Sequence, residues 1–419
     1  MKNIFILLFI LAWLGTYAQD SELCYNVIYE LSQKKYHGRG YYKDGDIKAA
    51  SYIKKQYENI GLKPVLDSYF QEFSFPVNTF HGKVLMSVDG EALQAGKDFV
   101  MREYSSGIKG EYDLYYVDTT DFNIEMVLSD LEKPENKNSL IVIDFMFFHH
   151  NAKELGKFYK SDRPGFIMIW DTPLKFYKAY SSFTVKCAEI WVSPDFPRDA
   201  KTVKLNIENK MIDEHKTSNV IGYIEGKTQK DSLFVFTAHF DHIGVLGKKV
   251  FFPGANDNAS GVAMLIALAE HYAKAENQPD CSMLFIATAG EETGLRGAYN
   301  YVENPLLPLK NIKYVINCDM VADNSQDIYV EISESGERGL DLFNNINSKN
   351  SYFTKLDLGE LAGNSDHFSF AEKNIPAIFF MMKGDGFAIY HTPEDNNNTI
   401  SLDNFPKLYK LISEFVETY

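Results

Sequence analysis

The chain has 419 residues, 45% of them hydrophobic and 24% charged, with a formal net charge of −15. That is enough chain for one large domain carrying an insertion, in an ordinary globular composition. The acidic balance argues against a nucleic-acid partner or an anionic membrane surface, because phosphate binding needs a basic patch.

Residues 1–18 read as a secretory leader and not as part of the fold. Lys2 gives a minimal basic region, Ile4 to Leu14 an apolar core, and Thr16-Tyr17-Ala18 a small-residue cleavage site. The apolar run is shorter than the roughly 20 residues a bilayer span needs, and no other segment is suited to one. The expected location is therefore secreted or periplasmic, with no stable membrane span. Four cysteines, Cys24, Cys187, Cys281 and Cys318, are too few for a disulfide scaffold. Cys281 and Cys318 read as small core residues, while a Cys24–Cys187 bridge is compatible with the sequence.

From Ser21 to Leu62 the pattern is helical, with Val27, Ile28 and Leu31 on one face and Ala49, Ala50, Ile53, Tyr57 and Ile60 on another. Gly61 should stop the second helix, and Tyr36 to Gly40 should form a loop between the two. From about Phe75 to Glu214 short alternating runs such as Tyr112 to Val117 and Leu140 to Ile143 replace helices. This predicts a small β-rich inserted domain over residues 81–214, interrupting a main domain of 19–80 and 215–419. His149-His150 is expected on a strand, where adjacent side chains diverge and chelate one ion poorly.

From Ser218 strand and helix alternate regularly. Strands are expected at Val220–Ile224, Leu233–Ala238, Ser282–Ala287, Tyr314–Asn317, Ile328–Ile332 and Ala377–Met381. Helices are expected at Ala259–Ala275, Leu295–Val302, Gly339–Ile346, near Phe368 and at Phe405–Val416. The spacing predicts an α/β fold, a three-layer sandwich with a mostly parallel central sheet.

Chemistry collects at the ends of those strands. His239 closes the second strand, in Ala238 to Gly244 (AHFDHIG), and Asp257 sits in the turn before a helix capped by Ser260 or Asn258. Glu291 and Glu292 follow the next strand, Asp319 follows the one after, and a glycine-containing loop leads to Tyr390-His391. Imidazoles and carboxylates in this number suit zinc, and exceed the three protein ligands of a single catalytic ion. They fit two ions about 3.5–4 Å apart bridged by one carboxylate, for which Asp257 is best placed. His239 and Asp319 would then serve one ion, Glu292 and His391 the other. Glu291 is left over to take the proton of an attacking water. Asp241 is expected to hold the His239 ring. His242 and His367 are read as site-lining, hydrogen-bonded or substrate-contacting residues, and Asp395 and Asp366 as local caps.

The motifs AHFDHIG, PGANDNASG, ATAGEETGLRGA, NCDMVA, NSDHFSFAEKNIPAIFF and YHTPED resemble the co-catalytic dizinc peptidase family. That family includes bacterial leucyl aminopeptidase, aminopeptidase Y and glutamate carboxypeptidase. The likeness extends to residues 37–64, and the segment 81–214 resembles the protease-associated domain that some members insert. The resemblance implies two Zn2+ per chain, with His239, Asp257 and Asp319 on one and Asp257, Glu292 and His391 on the other. It implies Glu291 as general base, and Tyr390 matches a tyrosine that contacts the tetrahedral intermediate in some relatives. The implied activity is hydrolysis of a peptide or protein substrate. Arg296 and Arg338 are the only arginines after Glu214, which favours an aminopeptidase over a carboxypeptidase or dipeptidase that gathers arginines for acidic C-terminal residues. A glutaminyl cyclase-like transferase using one zinc, and a metal-free ectodomain resembling the transferrin receptor, are the alternatives.

Overall fold

The computed structural model describes residues 22–419 apart from 121, 161–162, 173 and 176–179. The leader expected at 1–18 lies outside the described residues. No helix among the described residues is long and apolar enough to cross a membrane.

The main sheet has eight strands: β1 (Phe70–Thr79), β2 (Lys210–Ile224), β3 (Gln229–His239), β4 (Cys281–Thr288), β5 (Ile312–Cys318), β6 (Ile328–Ile332), β7 (Leu356–Leu358) and β8 (Ala377–Met381). Their order is β1-β2-β4-β3-β5-β8-β6-β7. The inner four, β4, β3, β5 and β8, run parallel, while β1 with β2, β2 with β4 and β6 with β8 are antiparallel. The parallel centre follows from the sequence. CSMLFIAT in β4 and AIFFM in β8 are buried at every position, and unbroken apolar runs suit only strands covered on both faces.

Alternation along β3 shows what covers each face. Phe234 and Phe236 point into one cluster with α1 (residues 22–31), α2 (Gly45–Ile60), α3 (Gly261–Ala273), α5 (Glu337–Asn350) and α7 (Phe405–Thr418), through side chains such as Ile53, Val262, Phe343 and Phe415. Leu233 and Val235 point the other way, onto Tyr301 and Val302 of α4 (Arg296–Glu303) and Phe370 of α6 (His367–Ala371). Helix, sheet, helix are the three layers of an α/β sandwich. Gly61 ends α2 at φ 90°, its N–H donating to Tyr57 and Glu58 carbonyls, a conformation glycine adopts without cost.

Between β1 and β2 the chain leaves to build a second eight-stranded sheet within residues 84–207. It has its own core, which includes Phe99, Phe166, Ile190 and Trp191 and runs on into Ile243 and Phe252 of the main domain. Departure and return are adjacent, since Thr79 pairs with Lys210 across the β1–β2 ladder.

One expectation fails here, and one question that the sequence left open is answered. His149-His150 ends a short helix, Phe145–His150, and not a strand. The run FMFFHH lacks the alternation of a half-exposed strand and follows a buried one, so it turns back over the sheet. No disulfide joins Cys24 to Cys187: both are buried, in different cores.

Candidate active site

All the strand-end residues come together at the carboxyl edge of β4, β3 and β5, where parallel α/β sheets place their sites. His239, the last residue of β3, turns Nε2 toward two carboxylates, 3.3 Å from Asp257 Oδ1 and 3.4 Å from Asp319 Oδ1. The other oxygen of Asp257 faces a second pair, with Oδ2 3.1 Å from His391 Nε2 and 3.4 Å from His242 Nδ1. Glu292 Oε1 completes that side, 3.4 Å from His391 Nε2 and 2.9 Å from His242 Nδ1. Two ligand-like groups, His239/Asp257/Asp319 and His242/Asp257/Glu292/His391, therefore share one aspartate.

The spacing of the Asn256-Asp257-Asn258-Ala259-Ser260 turn has a mechanical reason. Asn256 Oδ1 accepts from the Ala322 N–H at 2.9 Å, Asn258 Oδ1 from Met320 at 3.2 Å, and Ser260 Oγ from Val321 at 2.9 Å. Asn258 Nδ2 also donates to the Cys318 carbonyl at 3.0 Å. Three polar side chains thus stitch the turn carrying Asp257 to the loop carrying Asp319. The helix cap is Asn258, whose Oδ1 accepts from the Gly261 N–H at 2.8 Å. Gly261 must be glycine, because a Cβ there would meet the Cys318 carbonyl oxygen at 2.2 Å.

Asp241 does two jobs with different atoms. Its backbone carbonyl holds the His239 ring through Nδ1 at 3.1 Å. Its carboxylate accepts from the Glu291 and Glu292 N–H groups at 3.1 and 3.3 Å, and from the Tyr41 hydroxyl at 2.8 Å. Glu291 and Glu292 lie in a single 3-10 turn, Glu291–Thr293, and not in extended chain. The turn carries the Glu292 carboxylate to the His242 side.

Arg39 and Ser365, which support the site, were not legible beforehand, whereas Asp395, Tyr390, His367 and Asp366 were. Arg39 is fully buried, and its five N–H groups all donate to backbone carbonyls: Phe240 (2.7 Å), Leu31 (3.0 Å), Pro253 (2.6 Å), Gly254 (2.7 Å) and Asp257 (3.0 Å). Asp395 accepts from the Asn256 and Asp257 N–H groups at 2.8 and 3.0 Å, so it holds the Asp257 turn. Ser365 donates to Asp319 Oδ2 at 2.8 Å. Tyr390 stacks on His391 with centroids 3.6 Å apart. His367 is elsewhere, stacked on Phe379 and 3.4 Å from Glu331. Asp366 is buried beneath the site and accepts from the Thr288 hydroxyl.

Burial raises every acid here, and the imidazoles decide which acids escape it. Asp257 ends well below the ordinary carboxylate range because His242, His239 and His391 outweigh its burial. Glu292 falls to about 2, burial being overcome first by His391. Glu291 goes the other way: burial raises it, His239 offsets only part, and Glu292, Asp319 and Asp366 repel its charge. Burial also lifts Asp241 to about 7. His391 rises to about 10, burial being outweighed by Glu292 and Asp257. The two adjacent glutamates are thus shifted in opposite directions, Glu291 up and Glu292 down.

The residues fit metal cations. Asp241, Asp257, Glu292, Asp319, Asp366 and Asp395 are all buried, with Arg39 the buried permanent cation among them. Asp257 Oδ2 has no hydrogen-bond partner among the described residues, and a buried carboxylate oxygen left so is costly unless a cation satisfies it. Mixed imidazole and carboxylate donors are a zinc set.

Such a cluster on such a sheet edge has the groups that metal-assisted hydrolysis uses. A sequence profile of Peptidase family M28 matches residues 219–416. Aminopeptidase YwaD of Bacillus subtilis (strain 168) is 29% identical over 217 residues, 49% of this chain and 46% of that protein. A probable zinc metalloprotease of Leptosphaeria maculans is 35% identical over 115 residues, 27% of this chain and 26% of its own. The chain thus aligns with less than half the length of these curated relatives. Two solved structures share the fold: BSAP, a zinc aminopeptidase from Bacillus subtilis (21% identity, TM-score 0.71, 94% of each chain), and a Peptidase M28 precursor from Shewanella amazonensis SB2B (18%, TM-score 0.69, 97% of this chain and 95% of that one). Residues 219–416 thus resemble peptidase family M28, and the relatives of the chain include an aminopeptidase and a probable zinc metalloprotease.

Proposed function

We propose that this chain is a secreted aminopeptidase that holds two zinc ions and uses Glu291 as its general base. The observation that carries the reading is the shared aspartate: Asp257 turns Oδ1 to His239, in the group with Asp319, and Oδ2 to His391, in the group with Glu292. Zinc, when bound, lowers the pKa of the attacking water and polarises the scissile carbonyl. The chain's own residues supply the proton traffic. Glu291 takes a proton from water as its oxygen bonds to the carbonyl carbon, then delivers that proton to the amine as the C–N bond breaks. Asp241 keeps Glu291 in place by gripping its backbone N–H, and Tyr41 in turn holds Asp241. Tyr390, stacked on His391, is assigned to the intermediate's developing charge.

Arg39 supports an aminopeptidase over a carboxypeptidase. Its five N–H donors are all committed to backbone carbonyls, so it has none left for a substrate's terminal carboxylate. Residues 19–80 and 215–419 form the peptidase unit in this reading, residues 81–214 a protease-associated-like domain, and residues 1–18 the leader that directs secretion.

The test is a panel of aminoacyl-nitroanilides beside N-blocked peptides, with and without chelator. Cleavage of unblocked substrates alone, abolished by chelator and restored by zinc, is the expected result. Glu291→Ala should hold two zincs yet turn over almost nothing. Cleavage of blocked peptides at equal rate, or wild-type turnover by that variant, would refute the reading.

A further inference from the structure

We infer that His242 is itself a metal ligand, giving one of the two ion positions four protein donors and the other three. This rests on the dinuclear reading above and goes beyond it, since that reading needs only His391 as the imidazole on the Glu292 side.

The geometry is symmetrical. His242 Nδ1 lies 2.9 Å from Glu292 Oε1 and 3.4 Å from Asp257 Oδ2, and His391 Nε2 lies 3.4 and 3.1 Å from the same two oxygens. Two imidazoles on separate loops therefore straddle one pair of carboxylate oxygens, and all four atoms lie within 4.8 Å of one another. Four ligands about 2.0–2.2 Å from a tetrahedral zinc are about 3.3–3.6 Å from each other. The observed separations sit close to that edge length, at or slightly inside it.

A plain hydrogen bond from His242 to Glu292 explains less. It accounts for the 2.9 Å contact, but leaves Asp257 Oδ2 buried, without a hydrogen bond, and faced by two ring nitrogens. One cation at the common point satisfies all four atoms. A substrate contact is excluded by position, because His242 has no exposed surface. The backbone that carries the ring is held from outside: the His242 main-chain N–H donates to the Arg39 carbonyl at 3.4 Å, and the Tyr180 hydroxyl donates to the Ile243 carbonyl at 2.6 Å, while ring Nε2 has no hydrogen-bond partner among the described residues.

The consequence is an inequality between the ions. The position bounded by His242, Asp257, Glu292 and His391 would offer four donors and hold its ion the more tightly. The position bounded by His239, Asp257 and Asp319 would offer three.

Zinc titration against a competing chelator, with zinc-edge X-ray absorption on the full chain, tests this. Wild type should show two binding steps and three imidazoles over two zincs. His242→Ala should show two imidazoles and a tight step weakened at least about 100-fold, more than loss of an outer partner causes. His242→Gln keeps an amide N–H able to reach Glu292, so it should lose affinity similarly while retaining the wild-type circular dichroism. Wild-type zinc affinity in the glutamine variant would mean a hydrogen bond only and overturn the inference, as would a loss confined to the weaker step. A wild-type chain that binds no zinc would instead bring down the dinuclear reading itself.

Discussion

The inserted sheet and the catalytic sheet each bury acids, and they treat them oppositely. Glu189, on a buried strand of the insert and 2% exposed, accepts from Tyr104, Tyr159 and Trp191, each at 2.6 Å. Its carboxylate is fully occupied by the protein. At the catalytic edge Asp257 Oδ2 and Asp366 Oδ1 are equally buried and accept nothing among the described residues. The residue chemistry is the same, and both acids sit in or beside sheets. The leftover acceptor is what distinguishes Asp257 from Glu189, because a satisfied buried carboxylate stabilises and an unsatisfied one is costly until a cation meets it.

The strongest blow to that contrast would come from removing one negative charge on each side. Glu291→Gln should lower kcat by about 10²- to 10⁴-fold with zinc content unchanged, whereas Glu189→Gln should leave kcat and zinc where they were. Equal losses from the two variants would erase the distinction. Next in size, Arg39→Met removes the buried cation that faces the catalytic acids, and should cost about 3–5 kcal/mol in denaturant unfolding together with weaker zinc retention. A variant as stable as wild type would show that its five bonds are redundant.

Metal removal sharpens the contrast through pH. In chelated protein His391 is raised to about 10, so its ion pairs contribute stability fully present below the unfolded value of about 6.5. That stability is lost as pH climbs from there toward 10, and the melting temperature of the stripped protein should fall across the window. A flat profile would contradict the pairing. Glu189→Gln should cost a smaller about 1–3 kcal/mol, seen as earlier melting of the insert. The smallest effect is expected at Lys175, whose ammonium lies 5.3 Å from the Phe387 ring and 5.5 Å from Tyr390. Contacts of this kind are worth about 0.5–1 kcal/mol, so Lys175→Met should move KM a few-fold with kcat unchanged, and a large fall in kcat would place it closer to the chemistry.

Much of the fold could be read in the chain because its signals are local. Unbroken apolar runs such as those of β4 and β8 specify buried strands, and Gly61 marks a helix end. Residues that act at a distance leave no such trace. Arg39 reaches the site through a turn in which His37, Gly38 and Arg39 all have positive φ (50°, 65° and 51°), and its partners lie up to 218 positions away. His242 is three residues from His239 on irregular chain, where no period indicates which way a ring points. The Glu291-Glu292 pair reads as extended, yet the left-handed Gly290 (φ 72°) starts a turn instead. Cys24 and Cys187 look matched by number alone, and burial in separate cores keeps them apart.

The pairing of Thr79 with Lys210 has an evolutionary reading. Everything between them hangs from the tip of what would otherwise be an ordinary hairpin, so the peptidase scaffold can gain, lose or exchange its cover without redrawing its own sheet. Excising residues 80–209 and closing the gap with a short turn would give a minimal enzyme. Its catalytic groups would remain, but it would lack the tyrosine that steadies the carbonyl of Ile243, and so would report how far the accessory module tunes a reaction it does not perform.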